Sequence, residues 1–151
     1  MTAEPARVRF RRLDHAAGLP LPAPASPGAA GLDLRAAIGD ELALSPGRRL
    51  LVPTGFAVEL PPGHEGQVRP RSGLAVRHGV TVINAPGTID CDYRGEILVA
   101  LVHFGDEPLV LHRGDRIAQL VVAPVATVVA EEVVELAGTE RGDGGFGSTG
   151  R

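Results

Sequence analysis

Residues 45–69 read SPGRRLLVPTGFAVELPPGHEGQVR, and the punctuation of this stretch decides between helix and strand. Pro fixes φ and Gly supplies positive φ, so Ser45-Pro46-Gly47 and Pro61-Pro62-Gly63 are turns. The apolar runs between them are too short for a stable helix. They predict strands over 50–53 and 55–60, with a third over 66–69 after the second turn. The same grammar runs outward in both directions. Ala85-Pro86-Gly87 is another turn, and the 20 Gly and 13 Pro are spread along the chain with segments rich in Val, Ile and Leu between them. Further strands are predicted over 7–10, 32–36, 80–83, 96–104, 109–111, 116–122 and 125–136, and only Ser72–His78 has the look of a helical turn or two. Many short strands and one short helix predict an all-β fold, a jelly-roll-like β-sandwich or barrel with a Gly-rich C-terminal arm.

The 151 residues, 44% hydrophobic and 22% charged, suit one domain with a real core. The expected division is a β domain over 1–137 and an arm over 138–151. A formal net charge of −3 gives no general attraction to nucleic acid or to an acidic membrane, so an anionic ligand must be held by local donors. All 15 basic residues are Arg, which excludes the Lys of a P-loop and the Lys of a protein kinase. The single Cys91 forbids an internal disulfide and suits a reducing cytosol. Arg7, Arg9, Arg11 and Arg12 precede an apolar stretch, but Pro20, Pro22, Pro24 and Pro27 break any signal-peptide core. A cytoplasmic location is the expectation. The longest apolar stretch runs from Leu120-Val121-Val122-Ala123 to Val128-Val129-Ala130 and is interrupted by Pro124. It reads either as a strand buried on both faces or as a segment buried between subunits.

Gly145 to Gly150 fit the G-x-G-x-x-G pattern of a dinucleotide-binding turn. That reading needs a strand before the glycines and a helix after them, and only Arg151 follows. A frayed glycine-rich tail is the alternative, yet Phe146 between glycines and the lead-in Arg141-Gly142-Asp143 are unusual for one.

Five stretches place polar residues in turns at strand ends, where a β scaffold presents function. They are Ala30-Gly31-Leu32-Asp33-Leu34, Pro70-Arg71-Ser72-Gly73-Leu74-Ala75, Gly87-Thr88-Ile89-Asp90-Cys91-Asp92-Tyr93-Arg94-Gly95-Glu96, Arg113-Gly114-Asp115-Arg116-Ile117-Ala118-Gln119 and the tail Arg141-Gly142-Asp143-Gly144-Gly145-Phe146-Gly147-Ser148-Thr149-Gly150. In order and spacing, from about residue 20 to the end, they resemble the five motifs of the trimeric dUTPases.

The resemblance implies a Mg²⁺-dependent attack of water on the α-phosphorus of dUTP, giving dUMP and pyrophosphate. Asp90 is then the general base, a role worth ~10²–10⁴-fold in rate; its alternative is a turn aspartate bonding its own backbone. Asp92 points to the opposite face if the stretch is extended. Arg71, Ser72 and the Gly73 amide become phosphate donors, as against an N-cap serine beside a surface arginine. Gln119 becomes a phosphate or water ligand, as against a glutamine satisfying strand ends, while Asp115 and Arg116 read as a structural ion pair. Asp33 resembles the carboxylate that holds Mg²⁺ through water, since Mg²⁺ keeps several waters and is bound largely by substrate phosphates. His15, His64, His78, His103 and His112 are scattered and taken as surface or strand-end residues, so no zinc site is expected.

For selectivity, the resemblance assigns uracil recognition to Asn84 and the following hairpin, Gly87, Thr88 and Ile89, and packing against the deoxyribose to Tyr93. In the tail, Arg141, Gly147, Ser148 and Thr149 meet the phosphates while Phe146 stacks on uracil, as a mobile arm that closes over substrate. A homotrimer with sites between subunits is also implied. The dCTP deaminases are similar in fold and in the second and third motifs, but their catalytic Glu is matched here by Ala100. A jelly roll that binds nucleotide without turnover is the other alternative.

Overall fold

A computed structural model describes residues 5–145. Two four-stranded antiparallel sheets form the body. The first has the order β1-β4-β8-β6, from Arg9–Arg12 (β1), Arg49–Glu59 (β4), Val80–Val82 (β6) and Glu96–His103 (β8). The second has the order β2-β10-β5-β7, from Gly31–Arg35 (β2), His64–Arg69 (β5), Gly87–Ile89 (β7) and Arg116–Pro124 (β10). Leu42–Leu44 (β3) and Leu109–Leu111 (β9) make a separate antiparallel pair.

Alternation along these strands explains why the sheets face each other. In β8, Ile97, Val99 and Leu101 are buried while Leu98 points out, and in β10 Ile117 and Leu120 turn inward. With Leu34, Val52, Val58 and Val68 they form one core lined by both sheets, the arrangement of a sandwich. The sheets do not close into a barrel. Burial of each such Leu or Ile side chain contributes about 1.5–3 kcal/mol before entropy is counted.

The two strands expected over 50–60 are one. β4 runs through Pro53 with a register shift against β8 between Pro53 and Ala57, a bulge that accommodates a proline within a strand. Gly55 sits in that bulge at φ 74°, and a Cβ there would lie 2.2 Å from the Cβ of Ala16. Only glycine satisfies both demands. Ala16 belongs to a 3-10 turn, Asp14–Ala16, absent from the sequence reading. Arg12 holds that turn by donating to the Ala16 and Leu19 carbonyls while its guanidinium rests 4.9 Å over the Phe56 ring.

The helix α1 spans Ser72–His78, as expected. Gly79 ends it at φ 65°, its N–H reaching the carbonyls of Ala75 and Leu74. Arg71 occupies the N-cap position with no side-chain cap, so Ser72 is not the capping residue. Strands β3 and β7 were not anticipated.

The strand expected over 125–136 does not form. Pairing of β10 with β2 ends at Val121 and with β5 at Pro124; after Val125, whose N–H donates to the Gly63 carbonyl at 2.9 Å, the residues have no edge to bond. They leave Val128, Val129, Val134 and Leu136 more than four-fifths exposed. Burial on both faces therefore fails for this segment, and Leu120 alone of its apolar residues is fully buried within the chain.

Candidate functional site

The expected site residues fall into two groups within one chain. The first gathers along the chain from β6 through β7 to β8, which crosses from the first sheet to the second and back. After β6 the chain turns through Asn84, pairs β7 with β5 at Val68 opposite Gly87, and turns again to enter β8. A cleft of about 210 Å³ opens there, lined by Val68, Asn84, Gly87, Thr88, Ile89, Asp90, Tyr93, Glu96, Ile97 and Leu98. The Cβ of any other residue at 87 would come within 3.0 Å of the Asn84 amide nitrogen. Glycine thus lets a side-chain amide and the strand backbone approach the same small volume, which suits recognition of a flat polar ring by complementary donors and acceptors.

Asp90 stands exposed at the rim of this cleft. Its backbone carbonyl accepts the N–H of Tyr93 and closes the turn, but among the described residues no group bonds its carboxylate. The turn-aspartate alternative requires the side chain to be engaged, and it is not. Asp92 lies within the same turn rather than on an extended strand. Tyr93 donates its hydroxyl to the Glu96 carbonyl at 2.8 Å and lies over Gly95, where a Cβ would come within 2.4 Å of the tyrosine oxygen.

Glu96 was not singled out from the sequence. Its Oε1 accepts the Gly55 N–H at 2.7 Å and meets His15 Nε2 at 2.7 Å, so the base of the Asp90–Tyr93 turn is tied to the β4 bulge. Cys91 is free and packs, partly buried, against the core, and Arg94 donates to its carbonyl.

The second group gathers at the ends of β2, β5 and β10. Asp33 and Gln119 are register partners on β2 and β10. The Asp33 carboxylate bridges two arginines: Arg71 Nη1 lies 3.0 Å from Oδ1 and Arg116 Nη1 lies 3.4 Å from Oδ2. This corrects the pairing of Arg116 with Asp115. Asp115 instead accepts the His112 N–H at 2.8 Å and closes the turn before β10. Burial pulls the Arg71 guanidinium below its ordinary pKa; Asp33 opposes this, while Arg116, Arg35 and Arg77 add to it. Gln119 donates to the Pro70 carbonyl at 3.0 Å, so it does satisfy a strand end. Its Oε1 faces Gly31, where a Cβ would come within 2.3 Å. Ser72 and Gly73 follow Arg71 at the start of α1, with Ser72 exposed.

These groups occupy different clefts: Arg71 and Gly73 in one, Asp33 in a second, Gln119 in a third, and Asp90 in the cleft of the first group. Arg141 is exposed and donates to Gly144 within its own turn, apart from both groups. Phe146, Gly147, Ser148 and Thr149 lie outside the described residues.

Among the histidines, His103 is a strand-end residue, as expected, and closes β8. It is fully buried; its Nδ1 accepts the Gly105 N–H at 2.9 Å and Nε2 lies 2.7 Å from the Glu107 carbonyl, which fixes the tautomer with hydrogen on Nε2. It holds the turn after β8. No cluster of three or more His, Cys, Asp or Glu capable of holding a metal occurs among the described residues. Nor is any described helix long and apolar enough to cross a membrane.

Comparison with known proteins agrees with this architecture. A family model described as dUTPase matches residues 17–150. The deoxyuridine 5'-triphosphate nucleotidohydrolase of Methylocella silvestris is 61% identical over 150 residues, covering 98% of this chain and 94% of the relative. The dUTPase of Staphylococcus bacteriophage 80alpha, solved with dUPNHPP, superposes with a TM-score of 0.81 at 24% identity, covering 96% of this chain and 99% of that one. A point mutant of the dUTPase from phage phi11 of S. aureus, which coordinates a structural Mg(II) ion, superposes with a TM-score of 0.75 at 21% identity over 85% of this chain and 97% of that one.

Proposed function

Because the chain belongs to the dUTPase family, we propose that it hydrolyses dUTP to dUMP and pyrophosphate in the cytoplasm, limiting uracil in DNA and supplying dUMP for thymidylate synthesis. The observation that carries the chemistry is the Asp90 carboxylate, which stands free of partners among the described residues at the mouth of the Asn84–Tyr93 cleft. An unengaged carboxylate accepts the proton of a water as that water attacks the α-phosphorus. Asn84 and the β7 backbone read the uracil edge, whose O4 and N3–H pattern cytosine inverts. Arg71, Ser72, the Gly73 amide and Gln119 hold phosphate oxygens, joined by Arg141, Phe146, Gly147, Ser148 and Thr149 of the arm.

The donor set fits Mg²⁺ that arrives with the triphosphate. Asp33 offers one carboxylate, and both its oxygens already face arginines, so the protein alone is a poor cage for a divalent ion. With the nucleotide bound, one carboxylate reaching the ion through water is enough. Mg²⁺ there would gather the phosphate oxygens and neutralise their charge.

The separation of Asp90 from the phosphate donors within one chain supports a homotrimer whose sites form between subunits. So does the exposed apolar surface: Val128, Val129, Val134 and Leu136 beyond β10, with Leu51 and Leu98 on the outer face of the first sheet. Such a surface is costly for a monomer to expose to water.

Chromatographic product analysis with Mg²⁺ and, separately, dUTP, dCTP, dTTP and UTP tests the reading. Conversion of dUTP alone, to dUMP and pyrophosphate, is the expected result. Deaminated products from dCTP, or no turnover at all, would overturn it.

Sugar selectivity rests on Gly95 as well as Tyr93. A methyl group at 95 meets the far end of Tyr93 within 2.4 Å, so the ring must swing away from the cleft. Gly95→Ala should lower the dUTP:UTP ratio of kcat/KM by roughly tenfold or more. The fold should lose only the Tyr93–Glu96 hydrogen bond, about 1 kcal/mol. Parallel kinetics on the two nucleotides and a denaturant melt check both halves; an unchanged ratio would leave Tyr93 without its selective role.

A further inference from the structure

We propose that Arg77 binds the terminal diphosphate of the nucleotide, the part that departs as pyrophosphate, an inference that rests on the hydrolase reading above. The arginines neighbouring it are committed: Arg35 to the Gly114 carbonyl, and Arg71 with Arg116 to Asp33. Arg77 has no hydrogen-bond or ion-pair partner among the described residues. Its guanidinium lies back along the first turn of α1 so that Nη2 is 3.0 Å from where a Gly73 Cβ would be.

That position puts it on the wall of a cleft of about 260 Å³, with Arg71, Gly73 and Arg116 around it and Leu74 among the apolar floor residues. Asp115 also lines the cleft, but one of its oxygens is taken by the His112 N–H. Arg71 feels the positive charges of Arg116, Arg35 and Arg77 together, and Asp33 is the carboxylate set against them. Like charges gathered at this density repel one another unless an anion joins them.

The chemistry of the site names that anion. As the water oxygen bonds to the α-phosphorus, the bond from that phosphorus to the bridging oxygen breaks. The electron pair passes to the diphosphate, and the water's proton passes to Asp90. Negative charge therefore grows on the leaving group, and a guanidinium beside Gly73, adjoining the Arg71 and Gly73 donors, is placed to neutralise it. Arg77 does not touch the reacting water, so it is a binding residue and not the base.

The test is calorimetric titration of the full chain with inorganic pyrophosphate and Mg²⁺, and separately with dUMP, for the parent, Arg77→Gln and Arg77→Lys. Arg77→Gln is expected to weaken pyrophosphate binding about 10- to 100-fold, the range of one charge-assisted hydrogen bond, with dUMP affinity and the thermal midpoint unchanged. Arg77→Lys should restore part of the loss. Equal pyrophosphate affinity in parent and Arg77→Gln, loss of dUMP and pyrophosphate binding together, or no pyrophosphate binding by the parent would overturn the proposal. Arg77-dependent pyrophosphate binding by a chain that does not turn over dUTP would uphold this anion site and remove the hydrolase reading instead. Normal dUTP turnover with Arg77-independent pyrophosphate binding would do the reverse.

Discussion

Asp90→Asn should still bind dUTP and should lose turnover by ~10²–10⁴-fold, the usual worth of a positioned general base. The substitution keeps the size and hydrogen-bonding shape of the side chain and removes its capacity to take a proton. Asp90 contributes little to the fold through its side chain: it is exposed, and the turn it begins is closed by its backbone carbonyl accepting the Tyr93 N–H. Stability should therefore stay within about 0.5 kcal/mol of the parent. The two readouts separate the role of base from a role in binding. Steady-state kinetics should show kcat falling with KM nearly unchanged, as expected for an interaction made in the transition state. A rise in KM at constant kcat would instead make Asp90 a substrate ligand, and unchanged turnover would remove it from the chemistry.

Much of the fold was legible because its signals are local. Pro70 before Ser72 and Gly79 after His78 bracket α1 in the sequence as in the structure. The Ser45-Pro46-Gly47 and Pro61-Pro62-Gly63 turns bracket β4 in the same way. What escaped was either weakly marked or too distant. Strands β3 and β7 have three residues each, as do β6 and β9, but Leu42-Ala43-Leu44 carries no β-branched residue and Gly87-Thr88-Ile89 only one large apolar residue after a Pro-Gly turn, so neither has the composition of a strand. Thr54 falls in sequence between two separate strands, whereas the positive φ of Gly55 beside it makes a bulge within one. The expected strand over 125–136 had the right side chains and lacked an edge to bond beyond Val125. That is a property of where β2 and β5 end and not of the segment itself.

The candidate site divides along the same line. Asn84, Gly87, Thr88, Ile89, Asp90 and Tyr93 are near neighbours in sequence, and they share one cleft. The ties of Asp33 to Arg71 and Arg116 span 38 and 83 residues, so Arg116 was paired in the reading with the acid beside it. Glu96 stood in view within the third stretch, but its partners Gly55 and His15 are brought to it only by the pairing of β4 with β8 and by the 3-10 turn. His103 looks in sequence like any strand-end histidine. Its burial depends on the turn at Gly105, which packs against the His78 carbonyl.

Deleting residues from Gly144 onward should leave the sandwich folded and reduce kcat/KM for dUTP by about 10²-fold, the cost of losing groups that position a bound substrate. The expectation of an intact fold comes from burial: the described residues beyond Pro124 add nothing to the core, which draws on strands ending with β10. The expectation of lost activity comes from chemistry. In the proposed function Phe146 covers the uracil while Gly147, Ser148 and Thr149 meet the phosphates, excluding water as the reactive geometry is set. Two measurements bear on it together. Circular dichroism melts of parent and truncated chain should coincide, while turnover of dUTP falls and affinity for dUMP, which lacks two of the phosphates, falls less. The difference between the two ligands matters because a general loosening of the uracil cleft would weaken both alike. A truncated chain that turns over dUTP like the parent would show that the strand-end groups around Asp90 and Arg71 suffice, and the tail would then have no part in closing the site.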